Sequence, residues 1–141
     1  MRSFAASIRI RARPEAVWEL LTTAADYPQW NSTVERIDGR IAAGETVKVY
    51  AKAAPGRAFP LKVTEFAAPR RMVWSGGMPL GLFTGTRTYT LTPTAEDEVG
   101  FAMREEFSGL LAPLITRSIP DLQPAFDTFA ADLKRRAERA P

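Results

Sequence analysis

From position 84 to position 92 every even residue is threonine, and the odd residues around them read Phe83, Gly85, Arg87, Tyr89 and Leu91. Side chains alternate faces along a β-strand, so this segment predicts a strand with one hydroxyl-bearing face and one aromatic and aliphatic face. Threonine is β-branched and tolerates water, which assigns the even face to solvent. The odd face, with Arg87 on it, then points inward. A second alternating run follows: Val99, Phe101, Met103, Glu105 and Phe107 share one face, and Gly100, Ala102, Arg104 and Glu106 share the other. Between the two runs, residues 93–98 are polar and turn-like. With Leu91 opposite Phe101, Tyr89 falls opposite Met103 and Arg87 opposite Glu105. Each strand then carries a single charge on its inner face, at matching heights. Pairing is expected, because an isolated buried charge costs several kcal/mol. The alternative is a pair near the strand ends that reaches solvent on extended side chains.

The same alternation marks the first strand. Phe4, Ala6, Ile8, Ile10 and Ala12 alternate with Ala5, Ser7, Arg9, Arg11 and Arg13. Pro14 opens a helix, where its missing N–H costs nothing, and Val17, Trp18, Leu20 and Leu21 give that helix an apolar side. Asp26 is placed to cap a short second helical turn ahead of Trp30. A meander of strands follows. Val34, Ile37 and Ile41 flank the turn at Asp38 and Gly39; Val47, Val49 and Ala51 alternate with Lys48, Tyr50 and Lys52. Phe59, Leu61 and Val63 form another inward set, with Pro60 marking an irregular or edge strand. Met72 and Trp74 lead to residues 76–82, a glycine-rich apolar loop that reads either as a lid over an apolar opening or as a tip folded onto the sheet.

Beyond Gly109 the period changes to helical. Leu110, Leu111, Leu114, Ile115 and Ile119 form a first apolar part, which Pro120 interrupts. Asp121 can cap a restart, and Leu122, Phe126, Phe129 and Leu133 then form a stripe at helical spacing. The expected order is one strand, two short helices, six strands and one long C-terminal helix. A curved antiparallel sheet of about seven strands needs its concave face filled, and the long amphipathic helix is the element able to do so. The fold class is α+β, in a single domain over residues 1–141.

Composition narrows the chemistry. The chain has 141 residues, 45% hydrophobic and 25% charged, as in ordinary globular domains. It contains no cysteine and no histidine, which removes disulfides, thiolate and imidazole metal sites, thiol nucleophiles and histidine bases. No cofactor is implied. No apolar run approaches the ~20 residues that span a bilayer, and the N-terminus has no apolar core of a signal peptide. No integral membrane association is expected, and a cytoplasmic location follows by default. The net charge is +3, and the basic residues are scattered except for Arg9, Arg11 and Arg13 on one strand face and Lys134, Arg135, Arg136 and Arg139 near the C-terminus; such runs read as solvated faces, and without a nucleic-acid-binding motif a nucleic-acid partner is not expected.

These motifs carry a resemblance. Ile10-Arg11-Ala12-Arg13-Pro14-Glu15-Ala16-Val17-Trp18, then Tyr27-Pro28-Gln29-Trp30-Asn31, then Met72-Val73-Trp74-Ser75-Gly76, and finally Gly85-x-Arg87-x-Tyr89-x-Leu91 resemble the START-like helix-grip superfamily, also called SRPBCC. Within it they are most similar to the polyketide cyclase/dehydrase family. The resemblance spans about Ile8 to Glu138. It implies a helix-grip fold with a cavity between sheet and C-terminal helix that holds a hydrophobic small molecule, lipid-like molecules included. The family often has histidine where Arg87 stands, so an inward polar position is shared while its chemistry differs. Its name comes from bacterial aromatase/cyclases, but many members bind, carry or sense ligands without catalysis.

Two functions compete. In the first, the chain binds a hydrophobic or amphipathic small molecule. Phe59, Leu61, Met72, Trp74, Phe83, Tyr89, Phe101, Met103, Phe126 and Phe129 line or border the cavity, Arg87 meets an acidic group, Glu105 orients Arg87, and Tyr89 offers a hydroxyl. Plain core packing is the alternative role for each aromatic. In the second, the chain is a cyclase, dehydratase or hydrolase with Glu105 as general base and Arg87 stabilising an enolate oxygen. A carboxylate already held by a guanidinium is a poor proton acceptor, which argues against it. A structural or protein-interaction role is a third option. Catalytic residues, ligand identity and oligomeric state, monomer or homodimer, stay open.

Overall fold

The computed structural model describes residues 2–139. Seven strands, β1 (Ser3–Ile10), β2 (Val34–Asp38), β3 (Thr46–Ala51), β4 (Phe59–Ala67), β5 (Arg71–Met78), β6 (Phe83–Ala95) and β7 (Glu98–Ser108), form one antiparallel sheet. Its order is β1-β7-β6-β5-β4-β3-β2. All neighbours except β1 and β7 are consecutive in sequence, so the sheet is a meander whose last strand returns to pair with the first. The sheet curls into a half-barrel. Two helices, α1 (Pro14–Thr22) and α2 (Tyr27–Trp30), separate β1 from β2. After β7 come a short α3 (Ala112–Ile115) and the long α4 (Gln123–Glu138).

The predicted register is observed. Leu91 pairs with Phe101, Tyr89 with Met103 and Arg87 with Glu105. The strand β6 runs further than the sequence indicated, to Ala95, and the turn contracts to Glu96 and Asp97. The inward set of β7 is buried at Val99, Phe101, Met103 and Phe107. The threonine face of β6 is less wet than expected. Thr92 is exposed, but Thr84, Thr86, Thr88 and Thr90 are half-buried, because β6 lies inside the sheet, between β5 and β7.

The helical stripe lies where the pattern placed it. Phe126, Phe129 and Leu133 are buried, and Phe129 sits at the centre of the interior. Its ring centroid lies 5.6 Å from Trp30, 5.9 Å from Tyr89, 6.1 Å from Phe101 and 6.3 Å from Tyr27. One side chain thus joins α4 to α2 and to the two long central strands. Polar side chains fix the helix along β1. Gln123 Nε2 donates to the Ala5 carbonyl at 2.6 Å, Lys134 Nζ donates to the Arg9 carbonyl at 2.8 Å, and Glu138 accepts the Arg11 N–H at 2.8 Å. Asp121 accepts the Gln123 N–H at 3.0 Å, just ahead of the helix. Asp26 makes no side-chain cap to α2.

Residues 76–82 are neither a lid nor a folded-down tip. They end β5 and turn into β6, and Met78 and Leu80 point into solvent.

The packing separates the loss of a buried side chain from the loss of an exposed one. Phe129→Ala removes the shared contact of four rings and is expected to cost about 3–5 kcal/mol. Leu80→Ala removes an exposed side chain and should stay within about 0.5 kcal/mol. Urea unfolding of the two variants checks both values.

Candidate functional site

The inward faces of four adjacent strands bring four residues into one row. Trp74 of β5 pairs with Arg87 of β6, Arg87 pairs with Glu105 of β7, and Glu105 pairs with Phe4 of β1. Each occupies its place because side chains of one face repeat every second residue and the registers of the three strand pairs are aligned. The guanidinium of Arg87 donates from Nε to Glu105 Oε1 at 2.7 Å and from Nη1 to the Tyr89 hydroxyl at 3.5 Å. Its central carbon lies 4.9 Å from the ring centroid of Phe126, which covers it from α4. The side chains of Arg87 and Glu105 are 19% and 13% exposed. They are neither sealed in the core nor free in solvent.

Among the described residues, Nη2 of Arg87 donates to no protein group and Oε2 of Glu105 accepts from none. Burial alone would lower the Arg87 pKa, but the charge of Glu105 and the contacts with Tyr89 and Glu105 outweigh it and raise it. The guanidinium therefore keeps its proton at every working pH.

Beside Arg87 the concave face carries two glycines. Gly76 pairs with Gly85, and Gly85 pairs with Phe107. A Cβ on Gly76 would lie 2.5 Å from the Pro60 carbonyl oxygen and 2.8 Å from Leu61 Cδ2. A Cβ on Gly85 would lie 3.3 Å from the Phe107 ring. The strand β4 curls over β5 at Gly76, and Leu61 and Phe107 lean over a floor that has no side chains of its own. Phe83 stacks on Phe107 at 5.8 Å.

The structure divides the candidate site residues into two groups. Met72, Trp74, Tyr89, Phe101, Met103, Phe126 and Phe129 are buried. Trp74 gives its indole N–H to the Met72 sulfur at 3.3 Å and its ring packs edge-on to Tyr89 at 5.1 Å. Phe59, Leu61, Phe83, Arg87 and Glu105 keep part of their surface. Two open grooves lie away from this row: one of about 440 Å³ runs beside Phe107, Gly109 and α3, and one of about 460 Å³ lies on the convex face by Ser7, Thr92 and Ala102.

Sequence reasoning passed over three residues here. Tyr27 is fully buried, donates to the Leu21 carbonyl at 2.7 Å and lies close enough to feel Tyr89 and Arg87. Its signal was the aromatic spacing of Tyr27 and Trp30, which read only as a scaffold motif. Asp132 is buried on α4 and accepts the Ser32 N–H at 2.8 Å and the Ser32 hydroxyl at 2.7 Å. Phe107 was assigned to the inner face without a role; its place over Gly85 follows from the register.

The model of a family described as polyketide cyclase / dehydrase and lipid transport matches residues 1–138. The chain belongs to that family. No curated protein sequence matches it significantly. Solved structures share the fold of this cyclase/dehydrase family member at low identity. A hypothetical protein of Helicobacter pylori has a TM-score of 0.77 at 13% identity, over 96% of this chain and 88% of that one. A START superfamily protein from Mycobacterium smegmatis has a TM-score of 0.70 at 15% identity, over 97% of each chain. The Zhui aromatase/cyclase of a Streptomyces species has a TM-score of 0.73 at 12% identity, over 98% of this chain and 94% of that one. The helix-grip architecture is thus common to a family member, a START protein and an aromatase/cyclase.

The site makes alkaline stability a test of its geometry. Burial raises the Tyr89 pKa, partly opposed by Arg87. Burial and Tyr89 raise the Tyr27 pKa well above its ordinary value, again opposed by Arg87. An unfolded tyrosine ionises near about pH 10. Above that pH the unfolded chain releases protons that the folded chain retains, so stability is complete below it and falls as pH rises. Thermal melts between neutral pH and strong alkali should show this loss, coincident with tyrosinate absorbance. Tyr89→Phe should lessen it and leave the part that Tyr27 contributes.

Proposed function

We propose that the protein binds a hydrophobic or amphipathic small molecule with an acidic group, held between the sheet and α4 and anchored at Arg87. The observation that carries this reading is the incompletely used guanidinium. Arg87 is permanently charged, two of its five N–H donors are engaged by Glu105 and Tyr89, and its Nη2 is left without a protein acceptor among the described residues. A planar guanidinium fixed by a carboxylate and capped by an aromatic ring is already oriented for a second carboxylate or phenolate. The half-buried Phe59, Leu61 and Phe83 offer apolar surface toward the same end of the sheet, the usual combination of an apolar wall and a few polar anchors. The glycine floor at Gly76 and Gly85 is covered by Leu61 and Phe107 rather than by its own side chains. This reading calls for those two side chains to rotate and clear the floor next to Arg87. Family membership supports a ligand-binding role of this kind.

The test uses a long-chain fatty acid and the alcohol of the same chain length as probes, after native mass spectrometry of the purified protein has identified anything carried along. A hydrogen bond to a charged group contributes about 1.5–3 kcal/mol, so the acid should bind roughly ten- to a hundredfold more tightly than the alcohol. Arg87→Met combined with Glu105→Gln leaves no unpaired charge and should keep the melting temperature. That variant should bind both probes equally. Equal binding by the wild-type protein, or no binding of either probe, overturns the reading. Consumption of a bound ligand that stops in Glu105→Gln while binding persists would reassign the site to catalysis.

A further inference from the structure

The largest exposed apolar side chains are not scattered. Leu80 is 93% exposed, Leu110 79%, Leu114 65% and Met78 46%, and all four belong to one end of the molecule. The β5–β6 hairpin tip and the segment leading into α3 are pinned together by backbone bonds. The Leu110 N–H donates to the Gly81 carbonyl at 3.0 Å and the Leu111 N–H to the Leu82 carbonyl at 2.7 Å. An apolar cluster on an exposed end is the usual mark of a docking surface.

The backbone at the tip is equally unusual. Leu80 and Gly81 have φ of 62° and 70°, and the Leu82 N–H closes the turn on the Pro79 carbonyl at 3.3 Å. Two positive φ values inside such a turn favour Asn, Asp or Gly at the first position. A leucine there is disfavoured by its backbone and by water, so neither folding nor solubility accounts for it.

Charge selects the partner. Residues 66–95 and 107–120, which supply both halves of the surface, contain no Asp or Glu. Arg117 is exposed, three residues beyond Leu114, and so shares its side of the helical segment. We infer that this end of the protein docks on a lipid bilayer with anionic headgroups, inserting Leu80, Leu110 and Leu114 while Arg117 meets the headgroup phosphates. Four side chains on two projecting turns fall well short of the roughly 20 residues a side that a stable protein interface uses. They suit a fluid phase that closes around a convex tip. No helix among the described residues is long and apolar enough to cross a membrane, so the contact is peripheral.

The experiment is flotation with vesicles of phosphatidylcholine alone and of phosphatidylcholine mixed with phosphatidylserine. Wild-type protein should float with the mixed vesicles and prefer them to the neutral ones. Leu80→Asn with Leu114→Ser should lower partitioning by at least about tenfold, given the transfer free energy of two leucines. Its melting temperature should hold, because asparagine suits the left-handed turn. Arg117→Glu should abolish the preference for phosphatidylserine. Absence of flotation, or flotation unchanged by the double leucine substitution, overturns the inference. So does concentration-dependent self-association by sedimentation that the same substitutions abolish. The Arg87→Met, Glu105→Gln variant should float like the wild type, so ligand binding and bilayer docking can fail separately.

Discussion

A guanidinium on the inner face of a curled sheet is tolerable only if a carboxylate meets it there, and this requirement governs the centre of the molecule. Arg87 and Glu105 stand directly opposite on β6 and β7, and their 2.7 Å contact holds for one register alone. A slip of one residue would turn Glu105 to the outer face and leave the cation unpaired. The cost of that outcome adds to the hydrophobic cost of turning Phe101 and Met103 outward. The ion pair and the apolar pattern therefore enforce the same alignment, which is the agreement between levels that marks a well-specified fold.

The interior has a fully buried aromatic half and a half that keeps some exposure, and Arg87 stands at their boundary. On one side Phe129 gathers Tyr27, Trp30, Tyr89 and Phe101 into a continuous aromatic mass. On the other side lie two glycines and half-buried Leu61 and Phe83. The buried half supplies rigidity: Tyr89 and Phe126, both buried, fix the guanidinium from two directions. The partly exposed half sets the apolar surface of Leu61 and Phe83 beside that support. Such an arrangement, a preorganised polar anchor beside partly exposed apolar surface, is what recognition of a small amphipathic molecule calls for.

Much of this was legible in the chain because period-two alternation reports which face a residue occupies. The alternation of residues 83–91 and 99–107 placed Arg87, Glu105 and Tyr89 inside, and the helical spacing of Phe126, Phe129 and Leu133 placed α4 over them. Alternation says nothing about how far side chains reach, so the filling of the interior around Phe129 was not legible. Long-range polar contacts were equally silent. Asp132 reads as an ordinary helix residue until the fold brings Ser32 to it from a hundred positions away. The turn at Leu80 was hidden for the opposite reason: local chemistry argues against a leucine at a positive φ, so the segment read as a lid or a folded tip. The fold was visible where local and global preferences agree, and obscured where they conflict.

The polar tethers between α4 and β1 have a consequence for self-assembly. A meander sheet that does not close leaves two outer strands whose unpaired N–H and C=O groups can template addition of another chain. On β1 the α4 side chains occupy those groups: Gln123 and Lys134 take the carbonyls of Ala5 and Arg9, and Glu138 takes the N–H of Arg11 just past the strand. The opposite outer strand, β2, is protected differently. It is five residues long, irregular between Val34 and Arg36, and exposes Glu35, Arg36 and Asp38. The helix that grips the interior thus also blocks strand-by-strand growth into fibrils, and detachment of α4 would expose an aggregation-competent edge together with the aromatic core.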